Sequence, residues 1–329
     1  MSAQPTCPSP AAGRVVAIDV GGTGIKASVW DAQLTEVART VRRTPVVDGV
    51  EAIVSAIEAS HNDVLAEAGG GTPPAALGVI CPGLVDPVEG IAVYSANLGW
   101  RDLPLRQLLS DRLGLPVALD HDVRAAGLAE LRTGAGRGSD DALYVQIGTG
   151  IASAAVIGGR MLIGHRGASG EIGHLPARPD GEPCACGQYG CTETYASAAA
   201  IARRYRRART AAGELDAADP VDAAEVFARA AAGDRLAAEV LGDAVSALAI
   251  ALVSYTVQLD PQLIVLGGGL SQAGNALLEP VLAEMSARLT WRRPPELRIG
   301  RFLGDAGRRG AALLAWERAG LPIRWSGEH

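Results

Sequence analysis

A chain of 329 residues, 48% hydrophobic and 20% charged, carries enough apolar material for one large or two medium domains, which excludes disorder over most of its length. A formal charge of −6 gives no electrostatic reason to expect a nucleic-acid partner. The apolar stretches, broken by glycine and polar residues, read as too short to span a bilayer. With two phenylalanines and six tyrosines the core must be built from Ala, Val, Leu and Ile, and 41 glycines imply many tight turns or backbone-lined sites.

Residues 1–13, rich in Ser, Pro and Ala, read as a disordered tail. The β-branched run Arg14 to Val20 predicts a strand, the glycine-rich turn Gly21-Gly22-Thr23-Gly24 follows, and Ile25 to Trp30 resumes strand character, so the two predict a hairpin. A third strand is expected over Glu36 to Arg42, an amphipathic helix over Gly49 to Ala68 closed by three glycines, and a buried strand over Ala76 to Ile80. Leu103 to Leu113 reads as helix, Pro116 to Leu119 as strand and Val123 to Arg132 as helix. Ala142 to Ile147 and Ile151 to Ile157 are strands on either side of a second glycine turn, Gly148-Thr149-Gly150. Strand, glycine turn with threonine, strand therefore occurs twice, which predicts two related domains facing each other across a cleft. Helices are expected over Thr194 to Arg209, Ala223 to Ala232, Asp234 to Leu259, Ser271 to Thr290 and Gly307 to Ala319, with strands at Leu263 to Leu266 and Leu297 to Ile299. Helices between mixed strands indicate α/β layers.

Three of the five cysteines, Cys184, Cys186 and Cys191, fall within eight consecutive positions, ten residues after His174. Thiolates and imidazole at such spacing can surround one tetrahedral Zn²⁺, and a Cys₃His set leaves no coordination position open, so the metal is expected to be structural. Chance clustering is a poor account of the spacing. A disulfide staple fits badly with so few cysteines and no apolar signal segment, features that predict a cytoplasmic protein. Glu171 and Glu193 flank the cluster, so a metal clip that fixes this loop also fixes two carboxylates.

Asp19 followed by Gly21, Gly22 and Thr23 has a logic for phosphate, because glycines admit backbone N–H groups to oxyanions, the hydroxyl adds a donor and the carboxylate can orient hydrated Mg²⁺. A plain hairpin turn explains the glycines equally well. Gly148, Thr149 and Gly150 repeat the pattern. Gly267, Gly268 and Gly269, between a strand and a helix, could set bare backbone near a nucleotide or permit a close strand–helix crossing. The basic run Arg203 to Arg209 reads as the solvated C-terminal end of a helix rather than an anion site, and Trp100 and Trp291 as packing residues.

Taken together, Asp19 to Thr23, Pro82-Gly83-Leu84-Val85-Asp86, Gly148-Thr149-Gly150, Gly170-Glu171-Ile172-Gly173-His174, the C-x-C-G-x-x-G-C run and Glu193 with Ala196-Ser197 resemble the ROK family of bacterial sugar kinases and repressors. The resemblance spans nearly the whole chain after the tail. It implies an actin-like (ribonuclease H-like) two-domain α/β fold, with residues 14–121 plus about 305–329 as the smaller domain and 122–304 as the larger, and the active site in the cleft. It implies ATP with Mg²⁺, and transfer of the γ-phosphoryl group to a sugar hydroxyl, most simply the 6-hydroxyl of glucose. By position Asp122 matches the catalytic base, a role compatible with its also capping the helix that follows. Glu171, His174 and Glu193 match ligands of the sugar hydroxyls. Asn97 lies where a sugar-contacting asparagine often stands, and as a residue before Gly99 it could equally shape a turn. His174 can serve twice, one ring nitrogen on zinc and the other donating to the sugar.

Two departures stand out. His121 replaces the asparagine usual before the catalytic aspartate and becomes the candidate ligand that redirects sugar preference toward an N-acyl or amino hexose or a glucose-like cyclitol. The second glycine turn continues as Ile151-Ala152-Ser153, with less glycine than usual. The competing function class is a sugar-sensing repressor. Such repressors carry a DNA-binding domain ahead of the first glycine turn, and with Asp19 nineteenth in the chain an enzyme is expected, in the family manner a homodimer.

Overall fold

The computed structural model describes residues 13–214 and 221–321, and the expected tail lies outside them but for Gly13. β1 (Arg14–Val20) and β2 (Gly24–Asp31) pair antiparallel across the first glycine turn, with Asp19 opposite Lys26. β3 (Glu36–Arg43) pairs with β2, and α1 (Val50–Glu67) buries Ile53, Ile57 and Val64 in the same apolar cluster as these strands. β4 (Leu77–Cys81) runs parallel to β1 and is buried at all five positions, as its unbroken apolar run requires.

Three strands not expected from the sequence, β5 (Leu84–Asp86), β6 (Ile91–Ser95) and β7 (Trp100–Leu103), form a small antiparallel sheet anchored by buried Trp100. At three to five residues each they are too short for alternation to register as a pattern. α2 (Leu105–Leu113) leads into β8 (Val117–His121), parallel to β4, and α3 (Asp122–Thr133) begins at the next residue.

β9 (Ala142–Ile147), β10 (Ile151–Ile157) and the short β11 (Arg160–Met161) open a second sheet. The expected helix over 194–209 is two helices, α4 (Glu193–Ala196) and α5 (Ala198–Ala211). Ser197 between them is extended and caps α5, accepting the Ala200 N–H at 3.1 Å. α6 (Ala223–Ala231) and α7 (Arg235–Leu259) follow, then β12 (Leu263–Gly267). The helix expected from Ser271 starts only at α8 (Asn275–Arg288), because Gly274 at φ 58° separates it from a 3₁₀ turn. β13 (Glu296–Ile299) and α9 (Ala306–Arg318) complete the chain.

The two five-stranded sheets run β3-β2-β1-β4-β8 and β11-β10-β9-β12-β13. Counted within each sheet, both have the order third, second, first, fourth, fifth, with an antiparallel meander and then parallel strands. The repeated glycine turns thus mark a repeated actin-like (ribonuclease H-like) α/β architecture.

The described residues divide into one unit of 13–129, 163–168 and 305–321 and another of 130–162, 169–214 and 221–304. The division falls at 129/130, against an expected boundary at 121/122. β8 and the first two turns of α3 stay together because Arg124, 2% exposed, donates to Asp120 Oδ1 at 2.7 Å, to the Val85 carbonyl at 2.9 Å and to the Gly167 carbonyl at 2.6 Å. The last of these bonds also draws 163–168 into the first unit.

α7 corrects another expectation. By length and composition it is apolar enough to cross a membrane. Here it is the central helix of the second unit, with Val245, Leu248 and Leu252 buried in the same cluster as Leu143, Ile264 and Val281.

In the first unit α9 lies directly on β4. A Cβ on Gly78 would stand 1.9 Å from the Ala311 carbonyl oxygen, so this position admits only glycine. Gly78→Ala is expected to cost about 1–3 kcal/mol or more, read as a lower urea midpoint at unchanged m value.

Candidate active-site residues and a candidate metal centre

In the first unit β1 ends at the glycine turn, which closes with the Gly21 N–H donating to the Gly24 carbonyl at 2.9 Å. Thr44 braces it by donating its hydroxyl to the Gly21 carbonyl at 2.6 Å. Gly22, Thr23, Arg43 and Thr44 line a cavity of about 350 Å³ together with residues 45–48. The backbone is open here, since a Cβ on Gly22 would meet only Asn97, at 3.5 Å. Asn97 lies between β6 and β7, so the small unexpected sheet is what carries it to the glycine turn.

Asp19 lies 4.0 Å from Lys26 Nζ, yet burial and the negative charge of Asp122 push its carboxyl up to about 6. Asp122 stands at the start of α3, where its Oδ1 accepts the Val123 N–H at 2.7 Å. Burial raises its proton affinity above the ordinary carboxylate value, against the lowering effects of that hydrogen bond and of Arg124. His121 Nε2 is 3.3 Å from Asp122 Oδ1. The first unit thus brings Asp19, Gly22, Asn97, His121 and Asp122 to one region. Cys81, on β4 in register with His121, is wholly buried and its thiol pushed upward by that burial, a structural rather than reactive cysteine.

In the second unit the Gly148–Gly150 turn closes with the Gly148 N–H on the Gly150 carbonyl at 2.9 Å, while the Ala198 N–H at the start of α5 donates to the Gly148 carbonyl at 2.9 Å. Exposed Thr149 therefore sits beside a capped helix N-terminus, a favourable place for an anion. Glu193 holds the same turn: its Oε2 accepts the Ile151 N–H at 2.9 Å and fills the place where a Cβ on Gly150 would stand, at 2.4 Å.

At the third glycine cluster a Cβ on Gly267 would meet the Tyr144 hydroxyl at 2.3 Å, and Gly268 has φ 80° with the Ile147 backbone against it. Packing accounts for these two. Only Gly269 faces open space.

The Nδ1 or Nε2 of His174 and the Sγ atoms of Cys184, Cys186 and Cys191 lie within 4.8 Å of one another. Cys186 Sγ to Cys191 Sγ is 3.7 Å and Cys184 Sγ to His174 Nδ1 is 3.8 Å. Thiolates about 2.3 Å from a tetrahedral zinc stand about 3.8 Å apart, so the donor set fits that ion. The 3.7 Å separation is far beyond the roughly 2.05 Å of a disulfide.

The loop is shaped to hold these atoms. The Gly187 N–H returns to the Cys184 carbonyl at 3.0 Å, and Gly190, at φ 69°, lies so close to Arg178 that its Cβ would fall 1.4 Å from the carbonyl oxygen. Burial pushes the Cys191 thiol up to about 12, a proton that a divalent metal would displace. With Nδ1 turned to the sulfurs, His174 presents Nε2 on its other side, 3.8 Å from Glu171 Oε2.

Residues 15–318 match the ROK family. The chain belongs to that family. A glucokinase of Halalkalibacterium halodurans is 33% identical over 91% of this chain and 94% of its own length. An N-acetylmannosamine kinase of Yersinia pseudotuberculosis is 31% identical over 94% of this chain and 100% of its own. A ROK glucokinase of Streptomyces griseus, solved with glucose and AMPPNP, is 31% identical with a TM-score of 0.79, covering 93% of this chain and 100% of that one.

Against its sequence this ROK protein holds several surprises. The arginine run is not simply solvated: Arg204 pairs with Glu182 at 2.9 Å and Asp243 at 2.8 Å, Arg203 pairs with Glu182 at 3.1 Å, and Tyr205 is fully buried. The run thereby ties Glu182, two residues before the first cysteine, to α5 and α7. Trp291, expected to pack, is 72% exposed. The bonds of Arg124 and the capping role of Ser197 are not among the expectations from sequence. Each had a signal: Arg124 is a charge among the small apolar residues of α3, four residues from Asp120, and Ser197 is a capping residue inside an alanine run.

Proposed function

We propose that this protein is an ATP-dependent sugar kinase that transfers the γ-phosphoryl group to a hexose hydroxyl, most simply the 6-hydroxyl of glucose, with Asp122 as general base. The observation that carries the reading is the Asp122 carboxylate, raised in proton affinity by burial and fixed at the start of α3 in the same unit as Asp19 and the first glycine turn. A base must hold the proton it takes, and burial supplies that tendency. As the sugar oxygen bonds to phosphorus and the bond to the nucleotide's bridging oxygen breaks, the hydroxyl proton passes to Asp122 and from there to solvent.

Asp19, Gly21, Gly22 and Thr23, with Gly148, Thr149, Gly150 and Gly269, are assigned to the nucleotide; Gly267 and Gly268 serve the packing that presents Gly269. Mg²⁺, oriented through Asp19, would neutralise charge developing on the phosphates. His174, Cys184, Cys186 and Cys191 would hold a structural zinc that orders the loop and fixes the His174 tautomer, leaving Nε2–H to donate to the sugar. Asn97, Glu171 and Glu193 are assigned to sugar hydroxyls.

The screen that tests this follows ADP release with glucose, mannose, glucosamine, N-acetylglucosamine, N-acetylmannosamine and inositols. Glucose is expected to give the highest kcat/KM, by about tenfold or more. Preference for an N-acyl hexose, as in the Yersinia relative's name, would move the substrate and leave the chemistry. DNA binding with no turnover on any sugar would overturn the kinase reading.

A further inference from the structure

β8 ends at His121 and α3 begins at Asp122, so the backbone changes from extended to helical between two neighbouring polar side chains. The imidazole lies against the carboxylate, with Nε2 3.3 Å from Asp122 Oδ1. Its other nitrogen, Nδ1, accepts from the Val123 N–H at 3.3 Å. A ring nitrogen that accepts carries no proton, so the neutral ring has its proton on Nε2, the nitrogen nearer the carboxylate. Asp122 Oδ1 also takes the Val123 N–H at 2.7 Å. Oδ1 is thus the oxygen held by the backbone, and it is also the one beside which the imidazole Nε2 stands.

The ring is itself held. The His121 backbone N–H donates to Asp120 Oδ1 at 2.7 Å, the oxygen that also accepts from the Arg124 Nε–H at 2.7 Å. Among the described residues, the charged and titratable groups facing the pair include Asp120 and Arg124 on its own segment, Cys81 on β4 and Asp19 on β1. The imidazole is 12% exposed and the carboxylate 29%, so a bond between them competes with little water.

We propose that His121 is a positioning residue for Asp122, donating from Nε2 to Oδ1 so that Oδ2 is the oxygen that takes the substrate proton, rather than a ligand of the sugar. The proposal rests on the reading of Asp122 as general base. A 3.3 Å contact is longer than an ideal N–H···O bond and would shorten as substrate closes around the pair.

Steady-state kinetics on His121→Phe, His121→Ala and His121→Gln test it, beside Asp122→Asn. Without a donor, Phe and Ala are expected to lower kcat about 10- to 100-fold with the sugar KM within about twofold, and to move the acid limb of the kcat profile to higher pH. Gln, whose amide N–H can reach Oδ1, is expected to recover most of kcat. Thermal melts identify a variant that has failed to fold, and the remaining ones decide. A raised sugar KM at unchanged kcat would make His121 a sugar ligand and overturn the proposal, as would wild-type kinetics in all three. Full turnover in Asp122→Asn would overturn the base assignment itself; a dead Asp122→Asn beside normal His121 variants would overturn only the role of His121.

Discussion

Asp122→Asn is expected to lower kcat by about 10² to 10⁴ while the protein folds and binds sugar nearly as before. The amide keeps an oxygen able to accept the Val123 N–H, so the start of α3 is preserved. What it lacks is proton affinity. In a loose phosphoryl-transfer transition state much of the catalysis is alignment and charge stabilisation, which is why a residual rate should survive.

Stability should move the other way. Burial raises the Asp122 carboxyl above its unfolded value, so ionising it at neutral pH works against the folded state; a neutral amide is expected to melt no lower than wild type. The sign for activity follows from the same shift. A raised carboxyl is deprotonated, and competent as a base, only above its folded pKa, so kcat should fall with falling pH at values above the ordinary carboxylate range. Because Asp19, pushed up to about 6, owes part of that rise to Asp122, the acid limb belongs to the pair. In Asp122→Asn the residual rate should lose that part of its pH dependence, and Asp19 should titrate lower. Near-normal kcat, or an unchanged acid limb, would remove Asp122 from the role of base.

Much of the frame could be read from residues because its signals are local. Each glycine turn sits between two β-branched runs, and both hairpins formed where the runs predict them. The parallel pairing of β4 with β1, and of β12 with β9, joins segments far apart in the chain and has no local signature; it surfaced only as buried apolar runs. Short elements escaped for the opposite reason. β5, β6 and β7 offer too few residues to show a period, yet they place Asn97 against Gly22. At the site, residue types were legible and partners were not. Nothing in the order Asp120-His121-Asp122-Val123-Arg124 says that the imidazole turns to the carboxylate, or that Arg124 reaches back to Val85 and Gly167, since these are choices of rotamer made by the packed structure.

Cys184→Ser is expected to reduce bound zinc from one ion per chain to a small fraction, measured by metal analysis after dialysis, and to raise the sugar KM by about 10- to 100-fold. Serine is near in size but a poor zinc ligand, and three remaining donors leave the tetrahedron open to water. The loop has other anchors: Glu182 is held by Arg203 and Arg204, and Cys191 bridges to Pro176. These should keep its two ends in place when the metal leaves, so global melting should fall less than sugar affinity does. The freed part is the turn through Gly187, held on its own by hydrogen bonds between Cys184 and the backbone of Gln188 and Gly187. Hydrogen exchange should therefore rise at 184–190 and little elsewhere in the second unit. His174 is expected to carry the consequence to the sugar, because a metal on Nδ1 would fix its tautomer and its loss would leave Nε2 able to accept where the proposed role needs it to donate. Full zinc content in the variant, or an unchanged sugar KM once the metal is gone, would separate the metal from the sugar and leave the cluster a clip for the loop alone.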